Sequence, residues 1–176
     1  RVGKKLLATG NGRCNLSNRH VSPEHYHGDT GRAITLLKRF PPEKVAGQFA
    51  SMGLLCRELE EGRLYPYSLQ ASSVLEILRL HLERQRVEVK EGFLLQTGTG
   101  AYRARKVIFA TGGLAYPQLG ANASGYQLLE KLGHSIVPLR PALVQVRTEP
   151  KRAKPLKGMR SHAEATLLAD GTPLQK

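Results

Sequence analysis

Gly3-Lys4-Lys5-Leu6-Leu7-Ala8-Thr9-Gly10-Asn11-Gly12-Arg13-Cys14-Asn15 near the start, and Val107-Ile108-Phe109-Ala110-Thr111-Gly112-Gly113 farther on, decide how this chain is to be read. The second stretch is an apolar run ending on small residues. It predicts a buried parallel strand and a tight turn with no bulky side chain in the way of a ligand's phosphate or ribose. The first sets Lys4, Lys5 and Arg13 beside Gly10 and Gly12. That combination offers cationic donors to a phosphate and a backbone that a flat ring can approach, with Asn15 adding a neutral donor and acceptor. A glycine-rich loop with basic neighbours is also what a solvated turn looks like, and on the residues alone both readings stand.

The motifs recur in a fixed order: GKKLLATGNGRCNLSN, GRLYPYSLQASSVLEIL, VIFATGG, then GYQLLEKLGHSIVPLRPALV. In that order the chain resembles the aminoacetone-oxidase-like (BaiN-type) family of FAD-dependent oxidoreductases, over roughly Gly3 to Gly158. The resemblance implies an α/β fold: part of a Rossmann-like, glutathione-reductase-type FAD-binding domain with a β-meander, followed by the start of a β-rich second domain. It implies FAD as cofactor, with NAD(P)H as a possible electron donor. The lysine pair would lie by the ribose and phosphates, and the GRCN loop along the flavin. Carried over residue by residue, the implied cofactor contacts are Lys4, Lys5, Gly10, Gly12, Arg13, Cys14, Asn15, Val89, Thr111 and Gly112. Tyr116 to Gly120 and Gly125-Tyr126 also match. Ala123 stands where a glycine is usual, and a positive φ there would strain alanine.

No strand followed by G-x-G-x-x-G and a helix occurs in the 176 residues, and the chain opens on Arg1. The family carries its nucleotide-binding βαβ unit just before the GKKLL segment and a flavin-contacting segment near its C-terminus. The expectation is therefore the middle of a longer flavoprotein, inactive by itself. Residues 1–148 would be a partial FAD-binding domain and residues 149–176 the start of a second domain, since proline and lysine become frequent from Glu149 to Lys157.

Between the motifs the chain alternates. Apolar positions 33, 36, 37 and 40 predict a helix over 29–40 that Pro41-Pro42 ends; Val45, Ala46, Phe49 and Met52 predict a second, closed by Gly53. Leu54–Glu60 reads as a strand turning at Glu61-Gly62 into Arg63–Pro66. Ser72–Glu83 is a serine-started helix with an apolar stripe at 74, 77, 78 and 82. Val87–Lys90 reads as a short strand, 93–104 as a hairpin, and 125–133 as a helix with a terminal glycine. Ser135–Val137 and Ala142–Val146 read as strands, and Ala163–Leu168 with Asp170-Gly171 as the opening of a β-rich domain. The segment from Arg13 to Asn18 reads as loop. There is no internal repeat.

Composition bounds the function classes. A hydrophobic content of 40% suits an ordinary core, and no apolar run reaches the ~20 residues that span a bilayer, so a cytoplasmic location is expected. Cys14 and Cys56 are the only cysteines, without metal-ligand spacing; neither disulfide nor metal site is expected. Cys14 reads more readily as a packing residue than as a redox group. His20, His25 and His27 read as loop histidines, because Pro23 breaks their segment. Tyr65 and Tyr67 could face a substrate.

The net charge of +13 argues for polyanions, and Arg147, Lys151, Arg152, Lys154, Lys157 and Arg160 could neutralise several phosphates. The other basic residues are dispersed, tryptophan is absent, and no nucleic-acid module is readable. The expected partner is a small molecule rather than a nucleic acid. The expected function is hydride transfer between flavin and a small organic substrate, with amine oxidation and enone reduction as the reactions the resemblance implies. The alternatives are a basic RNA-associated protein and a non-catalytic remnant of a flavoprotein fold.

Overall fold

The structure is a computed structural model that describes residues 2–28, 30–89, 105–141, 149, 151, 154–159, 164 and 166–175. Two compact units form, Arg1–His134 and Ser135–Lys176. The first begins with 3-10 turns over Leu6–Gly12 and a short strand β1 (Ser17–Asn18). Helices α1 (Gly31–Arg39) and α2 (Pro42–Ser51) follow, then strands β2 (Cys56–Glu58) and β3 (Arg63–Pro66) and helix α3 (Ala71–Arg84). Helix α4 (Ser124–Lys131) lies near the end of the unit. The second unit holds a hairpin of β4 (Leu167–Ala169) and β5 (Thr172–Gln175).

The helices start and stop where the sequence punctuates them. Pro42 occupies the first turn of α2. At its end Gly53 takes φ +98°, its N–H donates to Ala50 O (2.9 Å), and Leu54 N–H reaches back to Phe49 O (2.9 Å). That pair of bonds is the glycine-closed C-terminus in which a left-handed residue lets the chain turn and satisfy the last carbonyls. Gly133 closes α4 in the same way, with bonds from Gly133 to Glu130 and from His134 to Leu129. Arg86, at φ +53°, does this for α3 without glycine's freedom.

Strand order in the first unit's sheet is β1-β3-β2, antiparallel throughout, with Ser17 opposite Leu64 and Arg57 opposite Tyr65. The β2–β3 turn uses left-handed Glu61 and Gly62 and is tied to β1 by Asn18, whose side-chain amide donates to Glu61 O (2.9 Å). Arg19 bonds Glu43 on α2 (2.9 Å) and lies 3.4 Å from Glu58 on β2, so one guanidinium clasps three elements.

The core lies between this sheet, α3 and the first turns. Cys14, Leu54, Ala71 and Val74 form its centre, with Leu6, Leu16, Phe49, Ile77 and Leu78 packed around them. Val74 is 0% exposed. A Cβ on Gly3 would collide with Leu75, which shows how closely the chain's start lies on α3.

Several expectations are corrected. Residues 107–110 are not a buried strand: they pair with no neighbour among the described residues, and Ile108 is 90% exposed. A parallel strand is buried only when sheet neighbours and covering helices flank it, and an apolar run signals the demand for them without supplying them. Val87–Val89 and Ser135–Val137 likewise pair with no strand among the described residues. The stretch from Arg13 to Asn18 is not all loop, since Ser17–Asn18 pairs with β3. The apolar face expected on α1 exists in sequence, but no residue of α1 is buried. The proposed hairpin at 93–104 and the strand at 142–146 lie outside the described residues. Among the described residues no helix is long and apolar enough to cross a membrane.

Candidate functional site

The site is assembled from the two glycine-bearing motifs. In the first, the chain leaves the turn at Leu7 and passes through Gly10 (φ +55°), Asn11 (φ +54°), Gly12 (φ +81°) and Cys14 (φ +59°), four left-handed residues within five positions. This curls the loop so that Cys14 N–H donates to Thr9 O (3.0 Å) and Arg13 N–H to Gly10 O (3.2 Å). The Cys14 side chain then enters the core at 6% exposure, anchoring the loop on α3 and the sheet. Cys14 is thus a packing residue, and it fixes the loop from beneath.

The two loop glycines differ in what they allow. A Cβ on Gly10 would stand 2.7 Å from Asn15 N and 3.2 Å from a ring carbon of Tyr65, so this glycine is demanded by packing inside the loop. A Cβ on Gly12 would find nothing nearer than Leu7 O at 4.0 Å, leaving that backbone open to a ligand. Arg13 lies over the Tyr65 ring, 4.8 Å from its centre, and the ring is buried beneath the loop. Asn15 is exposed beside it.

The second motif meets the first at Lys5. A Cβ placed on Gly112 (φ +73°) would lie 4.0 Å from Lys5 Nζ, with nothing else as close. An ammonium therefore stands over a bare stretch of backbone, which suits an anion lying against the chain. Helix α4 closes the turn from the other side. A Cβ on Gly125 would run into the Thr111 side chain, and one on Gly113 would come 3.3 Å from the Tyr126 hydroxyl. The Thr111-Gly112-Gly113 turn thus packs on the first turn of α4, and Ala123 enters that helix at φ −83°, without the strain a positive φ would impose.

Of the expected contacts, the structure brings Lys5 to Gly112, sets Gly10 and Arg13 against Tyr65 with Asn15 N beside Gly10, and places Cys14 in the core with Leu54, Ala71 and Val74. Lys4 is exposed on the same turn as Lys5. Val89 lies in the stretch after α3, half-exposed, where the chain passes out of the described residues. Three participants were not singled out from sequence: Gly113, Gly125 and Tyr126. Their signal was available in the match of Gly125-Tyr126 to the resembled family. Tyr65, expected to face a substrate, instead supports the loop, whereas Tyr67 is 65% exposed. Among the described residues no group of three or more His, Cys, Asp or Glu side chains comes together to hold a metal.

The family model of the HI0933-like protein Rossmann domain matches residues 1–158, taking in both motifs and the α4 turn. The chain belongs to the HI0933-like Rossmann family. These are the BaiN-type FAD oxidoreductases whose motifs the sequence carries. It is 38% identical to the 3-dehydro-bile acid delta(4,6)-reductase of Clostridium scindens, over 95% of this chain and 44% of the relative. It is 30% identical to the ribosomal RNA dihydrouridine synthase of Haemophilus influenzae, over 82% of this chain and 40% of that protein. The enzyme of the same name from Escherichia coli is also 30% identical, over 81% of this chain and 38% of its own length. The chain spans less than half the length of these curated relatives.

The residues present fit a flavin dinucleotide in kind. The open backbone at Gly112 beside Lys5 suits a phosphate or ribose, and the open backbone at Gly12 beside Arg13 and Asn15 suits a flat ring with polar edges.

Proposed function

We propose that this chain supplies the flavin-holding part of an FAD-dependent reductase that acts on a carbon–carbon double bond conjugated to a carbonyl. The observation that carries the reading is the convergence of Lys5 with the Thr111-Gly112-Gly113 turn, two motifs far apart in sequence that build one anion-receptive surface. Lys4 and Lys5 hold the phosphates, Thr111 and Gly112 let the ribose lie on the backbone, and Val89 meets the adenine through its own backbone. Gly12, Arg13 and Asn15 lie along the flavin, with Gly10 and Cys14 keeping their loop in shape. Residues 1–148 form the FAD-binding part and 149–176 open a second domain.

FAD supplies the hydride chemistry when bound, and the protein positions it and tunes its surroundings. The choice of reaction rests on chemistry that the relatives' names share. A 3-dehydro-bile acid with double bonds at positions 4 and 6 is a conjugated ketone, and uridine, the precursor of dihydrouridine, has a ring double bond conjugated to a carbonyl. In either, a hydride would add to the carbon that conjugation makes electrophilic and a proton would complete the reduction. NAD(P)H is the proposed electron donor, and the proposed location is the cytoplasm.

The test is anaerobic. The flavin-loaded protein is reduced with NADH or NADPH and then offered a conjugated ketone; return of the oxidised flavin spectrum is expected. Bleaching of the oxidised flavin by an amine, with no response of the reduced flavin to any conjugated carbonyl, would instead assign amine oxidation.

A further inference from the structure

Helix α1 presents an apolar stripe and buries none of it. Ala33, Leu36, Leu37 and Phe40 recur at helical spacing, yet Leu36 is 58% exposed and Phe40, where the helix ends, is 50% exposed. Cations frame this stripe. Arg32 stands one turn before Leu36 and Arg39 one turn after it, on the same surface. Phe40 carries two cations on its ring: the Arg39 guanidinium lies 5.9 Å from the ring centre and the Lys44 ammonium 5.0 Å, and Lys44 also donates to Arg39 O (3.4 Å).

The charge here is not offset. Within residues 31–51 the cations Arg32, Lys38, Arg39 and Lys44 are all exposed, and the one carboxylate, Glu43, is taken up by Arg19. None of the four cations has a carboxylate partner among the described residues. Exposed apolar side chains set among unpaired cations call for a partner that is apolar just beneath a negatively charged layer. A second copy of this chain would bring the same four cations and be repelled. A nucleic-acid strand would take up the charge and leave Leu36 in water. An anionic bilayer surface answers both demands: leucine and phenylalanine enter the boundary between headgroups and acyl chains, while the stems of arginine and lysine reach back to the phosphates. Among the described residues no helix is long and apolar enough to cross a membrane, so the contact is one that lies on the surface.

We propose that α1 and its junction with α2 form a peripheral contact for an anionic lipid surface, with Leu36 and Phe40 entering the interface and Arg32, Arg39 and Lys44 on the headgroup phosphates. The net charge of +13 draws the chain toward such a surface, and α1 supplies the apolar side chains that hold it there. Each cation near an anionic leaflet strengthens binding about fivefold, an attraction that salt screens. The contact is independent of the flavin reading and is tested without it.

The chain contains no tryptophan, so Phe40→Trp places a single fluorescent reporter at the contact. The full chain carrying it, with and without FAD, is titrated with phosphatidylcholine vesicles containing about 30% phosphatidylglycerol and with vesicles of phosphatidylcholine alone. The emission is expected to move to shorter wavelength with the anionic vesicles only, and the binding to weaken as salt is raised. In the same background Leu36→Ser, which keeps every charge, and Arg39→Gln, which keeps the apolar stripe, each weaken binding about fivefold or more. Arg84→Gln, which removes an exposed arginine from the end of α3, leaves binding within about twofold. All three side chains are exposed, so the urea midpoint stays with the parent. The proposal is overturned if the emission does not shift, if Leu36→Ser binds like the parent, or if Arg84→Gln weakens binding as much as Arg39→Gln. It is overturned too if polyglutamate or oligouridylate gives the same shift as the vesicles, which would assign the face to an acidic protein or to a nucleic acid. Vesicle binding by a protein that retains no flavin would sink the flavin reading and leave this one standing.

Discussion

Gly10→Ala is the perturbation whose cost the structure specifies most closely. Gly10 sits at φ +55°, where an L-residue costs about 1–2 kcal/mol. The new Cβ would also stand 2.7 Å from the backbone nitrogen of Asn15. That contact cannot be relieved by a rotamer change, because the atom it meets belongs to the main chain. The loop must open by a few tenths of an ångström, at a further cost of about 1–3 kcal/mol, typical of overpacking. The total is about 2–5 kcal/mol. If the loop escapes by adopting another shape, FAD binding must restore the native one, and each 1.4 kcal/mol needed is about tenfold in affinity. We therefore expect at least about a tenfold weaker FAD affinity, read by fluorescence titration, together with a lower urea midpoint. Gly12→Ala is the control. Gly12 has φ +81° but open space, so only the conformational cost of about 1–2 kcal/mol applies to its stability. If Gly10→Ala and Gly12→Ala give the same urea midpoint and the same FAD affinity, the packing argument for the loop is refuted.

Other consequences follow from the core and from the charged and titrating groups. Val74→Ala removes two carbons from a fully buried position against Cys14, Leu54 and Ala71, and should cost about 2–3 kcal/mol by urea denaturation; a change under about 0.5 kcal/mol would mean the site collapses freely. Glu43 is held below its ordinary pKa of 4.5, first by hydrogen bonding from its own backbone N–H and then by Arg19. A depressed folded-state pKa adds stability that is present above the unfolded value and lost as pH falls through the folded one. Glu43→Gln should therefore flatten the acid side of the stability profile and leave no such loss to observe; an unchanged acid profile contradicts the clasp. Burial pushes the Cys56 thiol above its ordinary range, with Arg19 pulling it part of the way back. Native protein should alkylate slowly at neutral pH and release two reactive thiols on unfolding, and fast native labelling at Cys56 would show that the sheet edge is open.

What was legible in the sequence was local. The ends of α2 and α4 were readable because proline and glycine act on the backbone at their own positions, whatever surrounds them. The β2–β3 turn was readable from Glu61-Gly62 for the same reason. β1 was not, because two residues carry no alternation and are drawn into the sheet only by pairing with β3, a partner more than forty residues away. Residues 107–110 misled in the opposite sense, since an apolar run states what a segment needs as neighbours and not what it has. In the site, the chemical types of Lys5, Arg13 and Gly112 were evident from the motifs. The support of the GNGRCN loop by Tyr65, and the clasp of Glu43 and Glu58 by Arg19, arise from cross-strand and loop-to-sheet contacts that no window of sequence contains.

The central claim is that Lys5 and the Gly112 turn hold the phosphates of FAD. The most direct test is to load the protein with FAD, desalt it, and compare the retained flavin spectrum with that of Lys5→Ala. Retained flavin in the parent and an affinity lower by about 10- to 100-fold in the variant, the loss of one charge-assisted bond to phosphate, is the predicted result. A colourless parent, or a Lys5→Ala protein that retains flavin equally well, would contradict the account.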